Sequence, residues 1–420
     1  MTLWDVVALL VSLAALFGYL NHRLFRLPST IGLTLFALLL SLSILALGAS
    51  GWDEGRTWAA GVLARVDFSA TLMHGLLSFL LFAGALHTDL DDLRQQRWII
   101  GILATIGVAT STLLIGAFTY GLLSLFGSSL SFLHCLLFGA LIAPTDPIAV
   151  LGIMKGAGAP ESLTTKITGE SLFNDGVAVV VFLVLLQLAT GTHTPGIGEV
   201  VWLFVEEVVG GVLFGLAIGG LAYAMLNGVD RYEVEVLITL AVVTGGYAAA
   251  QALHLSGPLA MVVSGLLIGN HGRLFAMSER TREHLDTFWE LLDEILNAVL
   301  FLLIGLELLV LALGWSDVLL GAVLIPLVLL ARWLSVWWPV AVLRMRRTFT
   351  PGAVQLLTWG GLRGGISVAL ALSLPEGPAR ETFLPATYII AVFSILVQGL
   401  TVGRLVRAVT AREGADLTAR

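Results

Sequence analysis

A chain of 420 residues with 12% charged and 57% hydrophobic residues cannot cover the surface of a soluble domain, which needs roughly 25% charged residues. Together with a mean hydropathy of +0.95, this excludes a water-soluble protein and indicates that lipid is the main solvent. The net charge of −7 is accompanied by no basic run that would serve nucleic acid, and the lone Cys135 offers neither a disulfide nor a metal framework, so we expect no cofactor.

Thirteen apolar segments are candidates for membrane-spanning helices, each of which needs about 20 mostly apolar residues. They lie near residues 4–21, 30–49, 68–87, 98–127, 130–153, 168–190, 199–226, 233–253, 256–270, 290–313, 316–343, 353–374 and 383–408. We predict one transmembrane domain over residues 1–420, without a soluble regulatory domain. The polar segment near 271–289 is amphipathic, and we expect it to lie along the membrane surface.

The basic residues orient these spans. Thirteen spans place the two termini on opposite sides of the membrane. With the N-terminus outside, only Arg56, Arg65 and Arg380 fall in outer segments, whereas the other Lys and Arg residues between the spans fall in inner ones. Because this agrees with the positive-inside rule, we predict a multi-pass protein of the cell membrane with a cytoplasmic C-terminus. The preference for arginine over lysine favours a bacterial inner membrane.

Two helix breaks indicate an internal repeat. Without the first span, spans 2–7 and 8–13 form two sets of six, as in transporters built from inverted repeats with broken helices. Residues 143–147 interrupt the fifth span with two prolines, and residues 360–365 interrupt the twelfth with four glycines. The breaks are offset by one place between the two sets, and the short segment at 254–270 leaves this offset open.

The break in the fifth span contains an acid. Pro144 and Pro147 flank Thr145 and Asp146, which removes backbone donors and frees carbonyls of the preceding turn. Freed carbonyls and a carboxylate are suitable ligands for a hard cation such as Na+. The alternative is a proline kink with a hydrogen-bonded aspartate.

The sixth span carries two acids with different orientations. Ser171 and Asp175 are four residues apart and share a helix face, so this face can meet an ion. Glu170 points about 140° away from Asp175, because successive residues turn by about 100°. We therefore expect Glu170 to turn into the bundle and form a structural ion pair with an arginine.

Two arginines, Arg332 and Arg363, fall within predicted spans. A guanidinium remains charged when buried, so each needs an anion or the carbonyls of a helix end. We favour fixed structural counter-charges for both over direct proton carriage.

The chain resembles the NhaP-type sodium/proton antiporters and the animal sodium/proton exchangers, the Asn-Asp branch of the monovalent cation/proton antiporters. The resemblance covers nearly the whole chain. Its most specific parts are Thr145-Asp146-Pro147, the run from Gly169 to Asp175, and Gly361-Leu362-Arg363-Gly364 before an apolar run.

The resemblance implies a homodimer with an elevator-like mechanism. It divides each protomer into core helices at about 68–190 and 290–374 and dimerisation helices at about 1–50, 199–270 and 383–408. It also implies that spans 5 and 12 are unwound and cross near the midplane, which would pair the two offset breaks.

The same resemblance assigns roles to the polar residues. Asp175 would carry the cation and the proton, with Asp146, Ser171 and the Thr145 backbone as further Na+ ligands. Asn174 would organise the crossing. Glu170 would pair with an arginine, most plausibly Arg332, with Arg363 close by.

One departure concerns the third span. Many relatives carry an acid there, in a run where this chain has Leu81-Phe82-Ala83-Gly84. If that acid binds the ion, its ligand is missing here or is supplied by water, which leaves ion affinity and selectivity open.

The expected function is exchange of a monovalent cation (Na+, with Li+ and K+ as alternatives) for protons. A proton and a cation would compete for the one carboxylate of Asp175, and a single titrating carrier favours electroneutral exchange. An intramembrane enzyme would need clustered histidines or a serine near a histidine or lysine, neither of which is visible. A channel or a sensor on the same fold is the other alternative.

Overall fold

The computed structural model describes residues 2–51, 53–63, 68–146, 150, 154, 161–191, 197–272, 277–311, 313–345 and 352–418. In these residues the regular secondary structure is entirely helical. Residues 147–149 and 151–153 of the fifth predicted span, which include Pro147, lie outside the described residues.

The helices are numbered α1 to α19 over the described part of the chain. The first half contains α1 (Leu3–Leu24), α2 (Ser29–Ala49), α3 (Asp53–Leu63), α4 (Phe68–Thr71), α5 (Leu77–Leu86), α6 (Leu90–Ile102), α7 (Val108–Leu125), α8 (Phe132–Ile142), α9 (Glu161–Thr190) and α10 (Ile197–Leu226). The second half contains α11 (Tyr232–Ala241), α12 (Tyr247–Ala252), α13 (Gly257–Leu267), α14 (Glu279–Leu306), α15 (Trp315–Leu343), α16 (Ala353–Trp359), α17 (Gly365–Leu372), α18 (Pro378–Phe393) and α19 (Gly399–Thr418). Single π-helical turns join α4 to α5, α6 to α7, α11 to α12 and α18 to α19.

Within the described ranges, eight helical segments are long and apolar enough to cross a membrane. They are Trp4–Leu24, Ser29–Ala49, Leu90–Leu125, Leu163–Thr190, Trp202–Leu226, Tyr232–Ala252, Trp315–Leu343 and Pro378–Ala411. The protein is therefore an all-helical membrane protein. The other five predicted spans coincide with helices that are short, broken or lined with acids, so the total of thirteen stays a prediction.

The amphipathic segment near 271–289 differs from its prediction. Residues 273–276 lie outside the described part, but from Glu279 the chain is one continuous helix, α14, which runs to Leu306. Leu285 and Trp289 are fully buried in it. The segment therefore does not form a separate surface helix, because its apolar face packs inside the bundle and its acidic face lines a cavity.

Small residues allow close contacts between the long helices. A Cβ atom on Gly211 of α10 would lie 2.8 Å from the Ser256 carbonyl oxygen, and one on Gly215 would lie 2.7 Å from that of Ala260. Helix α5 contacts α13 in the same way through Gly265. Such contacts are typical of membrane helices, which associate by packing where no hydrophobic effect drives them together.

Two helices break off in the middle of the bundle, at the predicted positions. Helix α8 ends at Ile142 and is followed by extended residues up to Asp146, while α16 ends at Trp359 and α17 begins at Gly365. The Asp146 amide donates a hydrogen bond of 2.8 Å to the Leu362 carbonyl. This antiparallel bridge brings the two breaks together. We call this meeting point the crossing.

Candidate ion-binding site

Arg363 binds the carboxyl end of α8 at the crossing. Its Nη1 donates to the carbonyl oxygens of Ala143 at 2.6 Å and Pro144 at 2.8 Å. The last carbonyls of a helix lack partners within the helix and carry partial negative charge, so a cation stabilises them. The Arg363 backbone N–H donates to Ser394 Oγ at 2.8 Å. Arg363 is therefore fixed at both its side chain and its backbone.

Arg332 forms a two-pronged ion pair with Glu170. Nη1 lies 2.6 Å from Oε1 and Nη2 lies 2.8 Å from Oε2, with both side chains almost fully buried. Nη2 also donates to the Leu357 carbonyl in the last turn of α16, at 3.1 Å. Close approach is possible because position 361 is a glycine, where a Cβ would lie 2.8 Å from Arg332 Nε. Glu170 thus pairs with Arg332, whereas Arg363 binds the carboxyl end of α8.

Three polar residues connect α9 to the break after α8. Thr145 Oγ1 and Ser171 Oγ share a hydrogen bond of 2.9 Å. Asn174 Nδ2 donates to Thr145 Oγ1 at 3.2 Å and contacts the Ala143 carbonyl at 3.4 Å. All three residues are buried. They hold the extended segment against α9, one helical turn from Asp175.

Asp175 lies in the same buried region but is only partly bonded. It is 4% exposed, and its Oδ1 has no hydrogen-bond partner among the described residues. The backbone amide of Thr145 faces its carboxylate, and Asp146 is close enough to interact with it electrostatically. An oxygen that is buried and unbonded is costly unless a proton or a cation satisfies it.

Asp146 lies against the amino end of α17. A Cβ atom on Gly364 would come within 2.9 Å of Asp146 Cβ and 3.0 Å of its Cγ. Because the amino end of a helix carries partial positive charge, it stabilises a nearby carboxylate. The crossing therefore places an arginine at one helix end and an aspartate at another, and each opposes the local charge of the backbone.

A cavity of about 740 Å³ leads to this site. Its walls include many acids, and neither lysine nor arginine is among the described residues that line it. The acids are Asp89, Asp92, Asp146, Asp175, Asp286, Glu290 and Asp293. Ala83, at the third-span position where the family resemblance implies an acid, lies on the same wall. We call this space the acidic cavity. Its charge attracts cations and concentrates them near Asp175.

A second cavity, of about 510 Å³, lies at the other end of α9. It is lined by residues of α9 between Val179 and Gln187, by Glu206 and Glu207 of α10, and by His254 in the turn after α12. The acidic cavity contacts α9 between Thr164 and Asp175 instead. Asp175 thus lines the acidic cavity and is not among the residues that line the second one.

Sequence reasoning missed two features of the site. One is Asp293 and Asn297 on α14, whose spacing of four residues could have shown that they share a face. The other is the Ser394–Gln398 pair, in which Ser394 Oγ donates to Gln398 Oε1 at 2.6 Å. Gln398 Nε2 in turn donates to the Trp359 carbonyl at 3.1 Å. No charge or motif marks these two residues, so no sequence signal pointed to them.

The family is decided by sequence over almost the whole chain. Residues 11–408 match the family described as "Sodium/hydrogen exchanger, transmembrane". The chain belongs to the sodium/hydrogen exchanger family. This confirms the resemblance found from the motifs.

Curated members of the family cover nearly all of the chain. It is 52% identical over 411 residues to the Na(+)/H(+) antiporter NhaP of Pseudomonas aeruginosa, with 97% of each chain covered. It is 35% identical over 393 residues to the Na(+)/H(+) antiporter NhaH of Halobacillus dabanensis, covering 92% of this chain and 93% of the relative.

The fold also matches a solved structure in this family. The sodium proton antiporter MjNhaP1 from Methanocaldococcus jannaschii, at pH 8, superimposes with a TM-score of 0.73 over 97% of this chain and 98% of that chain. At 19% identity, this similarity concerns the fold alone.

Proposed function

We propose that the protein is a secondary active antiporter that exchanges a monovalent cation for protons. Na+ is the first candidate, and Li+ and K+ are the alternatives. The named activity of the relatives from Pseudomonas aeruginosa and Halobacillus dabanensis supports this proposal. The observation that carries it is Asp175, a nearly fully buried carboxylate with an unbonded oxygen on the acidic cavity.

The cation would bind to oxygen ligands at the crossing. Asp175 and Asp146 supply carboxylate oxygens, while Ser171 and the backbone of Thr145 complete the set. Hard cations prefer oxygen ligands, and the polar contacts of Thr145, Ser171 and Asn174 hold this part of the chain in place. Na+ is the transported substrate in this proposal, and no resident cofactor is needed.

Charge balance supports exchange at a single site. Arg332 and Arg363 contribute two positive charges at the crossing, and Glu170, Asp146 and Asp175 contribute three negative ones. One proton or one monovalent cation neutralises the difference. Because an uncompensated charge is expensive in the low dielectric of a membrane protein, only the loaded site would move across readily. Competition for Asp175 then couples the two fluxes one for one, so exchange is electroneutral.

Alternating access would use the two cavities in turn. In the proposed motion, core helices at about 68–190 and 290–374 move as an elevator against scaffold helices at about 1–50, 199–270 and 383–408, which also form a homodimer. With the N-terminus outside and the C-terminus in the cytoplasm, the acidic cavity opens inward and the second cavity outward. This arrangement corresponds to an inward-facing state in a bacterial inner membrane.

The test measures exchange driven by a pH gradient in proteoliposomes, with Na+, Li+ and K+ supplied in turn. Wild type is expected to show saturable exchange that reverses with the gradient, and Asp175→Asn is expected to abolish it. Asp91→Asn, which removes an exposed acid from α6, is the matched control and should retain wild-type rates.

Four results would reject the proposal or a part of it. Undiminished exchange by Asp175→Asn rejects the assignment of the carrier. Flux that does not saturate and ignores the direction of the gradient identifies a channel instead. A rate that changes with an imposed membrane potential rejects electroneutrality. If the wild-type protein transports no cation in any of these conditions, the antiporter proposal is wrong and the sensor alternative is favoured.

A further inference from the structure

Helix α14 presents a polar stripe to the acidic cavity. Asp286, Glu290 and Asp293 line the cavity, and Leu300 lines its inner end. Asn297 follows Asp293 by four residues, so it lies on the same helix face. The stripe therefore runs along the wall of the cavity toward the crossing, where Leu300 contacts the position of Gly365.

Three buried side-chain atoms of the two innermost polar residues of this stripe make no regular hydrogen bond among the described residues. Asp293 Oδ1 is buried and has no partner among the described residues. Asn297 is 4% exposed; its Oδ1 has no partner in that part of the chain, and its amide group lies near the Asp293 carboxylate without a hydrogen bond of regular geometry. Buried polar atoms are normally hydrogen-bonded, so unbonded ones beside a cavity that a cation can enter are candidate ligands. The hydrogen bonds of Thr145, Ser171 and Arg363 show that the bundle supplies partners to polar groups nearby.

Asp146 connects this pair to the proposed carrier. The Asn297 side chain lies beside the Asp293 carboxylate, and Asp146 interacts electrostatically with both Asp293 and Asp175. All three carboxylates line the acidic cavity, so a cation that leaves Asp293 can pass to Asp146 and then to Asp175 within that cavity.

We propose that Asp293 and Asn297, together with Asp146, form a second binding site for the transported monovalent cation on the wall of the acidic cavity. This inference rests on the proposed antiport function and adds a step before Asp175. Among the described residues, no three His, Cys, Asp or Glu side chains converge as they would in a resident metal centre. The cation keeps part of its water shell here and binds weakly, which suits a site that must both fill and empty.

The first test is the Na+ dependence of exchange by Asp293→Asn. Removing one nearby carboxylate charge is expected to raise the apparent KM for Na+ by about tenfold, while the rate at saturating Na+ stays within about twofold of wild type. Glu294→Gln is the matched control, because it removes an exposed charge from the next residue of the same helix. Because Glu294 is exposed and solvent screens its effect on Asp293, the KM of this variant should rise by less than about twofold. Asn297→Leu keeps the side-chain volume and should raise the KM by a few fold.

The second test measures binding without transport. Purified Asp175→Asn, which lacks the proposed carrier, should still bind radioactive sodium weakly, and Asp175→Asn with Asp293→Asn should not. Asp293→Glu, made in the same Asp175→Asn background, keeps the charge and should retain the sodium binding. It therefore shows whether the loss of binding in the double variant comes from misfolding.

The possible failures can be told apart. If wild type does not exchange cations for protons, the proposed function is wrong. The second site is wrong if wild type exchanges normally, Asp293→Asn has the KM of wild type, and the double variant Asp175→Asn with Asp293→Asn binds as much sodium as Asp175→Asn. A KM that rises equally in Glu294→Gln also overturns it, because the effect is then one of overall charge.

Discussion

Two neighbouring regions of the bundle treat buried charge in opposite ways. Behind the crossing, Glu170 and Arg332 satisfy each other in two hydrogen bonds, and Arg363 binds the carbonyls that end α8. In front of it, Asp175 and Asp293 each keep a buried carboxylate oxygen without a partner among the described residues. The first region borders a cavity of only about 10 Å³, whereas the second faces the acidic cavity of about 740 Å³.

This difference separates charged side chains that hold the structure together from carboxylates that bind the transported ion. A charge that holds helix ends in place must be compensated permanently, because an unpaired charge in a low dielectric is costly. A carboxylate that carries a cargo must instead be compensated by that cargo. An unbonded carboxylate oxygen on the acidic cavity, rather than burial, therefore distinguishes Asp175 from Glu170, since Glu170 is at least as buried as Asp175.

The largest expected effect comes from breaking the structural pair. Glu170→Gln leaves Arg332 charged, buried and without its carboxylate. Loss of one partner of a buried ion pair costs about 3–5 kcal/mol, so we expect a large fall in stability and a loss of exchange. Thermal unfolding in detergent, followed by the fraction that remains monodisperse, measures the change. The double variant Glu170→Leu with Arg332→Met should recover part of the loss.

Asp175→Asn is the comparison for that experiment. It should lose exchange yet unfold at about the wild-type temperature, because the unbonded oxygen contributes no hydrogen bond to the folded state. If it destabilises the protein as much as Glu170→Gln, the distinction between the two regions is wrong.

A smaller effect is expected where the two regions meet, at Gly364. The added Cβ of Gly364→Ala would collide with the Asp146 side chain and displace its carboxylate from the amino end of α17. We expect exchange to fall by about tenfold or more, since displacing a ligand by about 1 Å can cost far more than its contact energy.

Gly84→Ala provides the control for this variant. Gly84 also lines the acidic cavity, but its added Cβ would meet only the Leu172 side chain at 3.8 Å, an ordinary contact. It should transport normally. Equal losses in Gly364→Ala and Gly84→Ala would show that the cavity responds to any added bulk rather than to the position of Asp146.

Much of this arrangement could be predicted from the sequence. Low charge and long apolar runs indicate a membrane protein, and the motifs around Asp146, Asp175 and Arg363 indicate the family. The helical period alone separates the direction of Glu170 from that of Asp175. These inferences rest on local spacing and composition, which the sequence contains directly.

The remainder depends on contacts between distant segments. Whether the two breaks meet cannot be read from spans that appear offset by one, yet the Asp146–Leu362 hydrogen bond joins them. Hydropathy also wrongly placed the segment near 271–289 on the membrane surface. A helix with one acidic and one apolar face has the pattern of a surface helix, and the sequence does not show that its acidic face lines a cavity inside the bundle. Asp293 and Asn297 were missed for the same reason, since their role depends on facing Asp146.

The smallest expected effect tests a part of the bonded region that carries no charge. Gln398 accepts from Ser394 and donates to the Trp359 carbonyl, and Ser394 in turn accepts from the Arg363 backbone. Gln398→Leu should cost about 1 kcal/mol, because hydrogen bonds between membrane helices contribute modestly and the side-chain volume is nearly kept.

Gln398 does not line the acidic cavity. The apparent KM for Na+ of Gln398→Leu should therefore stay within about twofold of wild type, a smaller rise in KM than the loss of one carboxylate contact produces. Exchange kinetics and thermal unfolding of this variant, measured beside Asp293→Asn, separate a bond that only supports the crossing from a group that meets the ion. A rise in KM for Gln398→Leu comparable to that of Asp293→Asn would mean that the bonded region also tunes cation affinity.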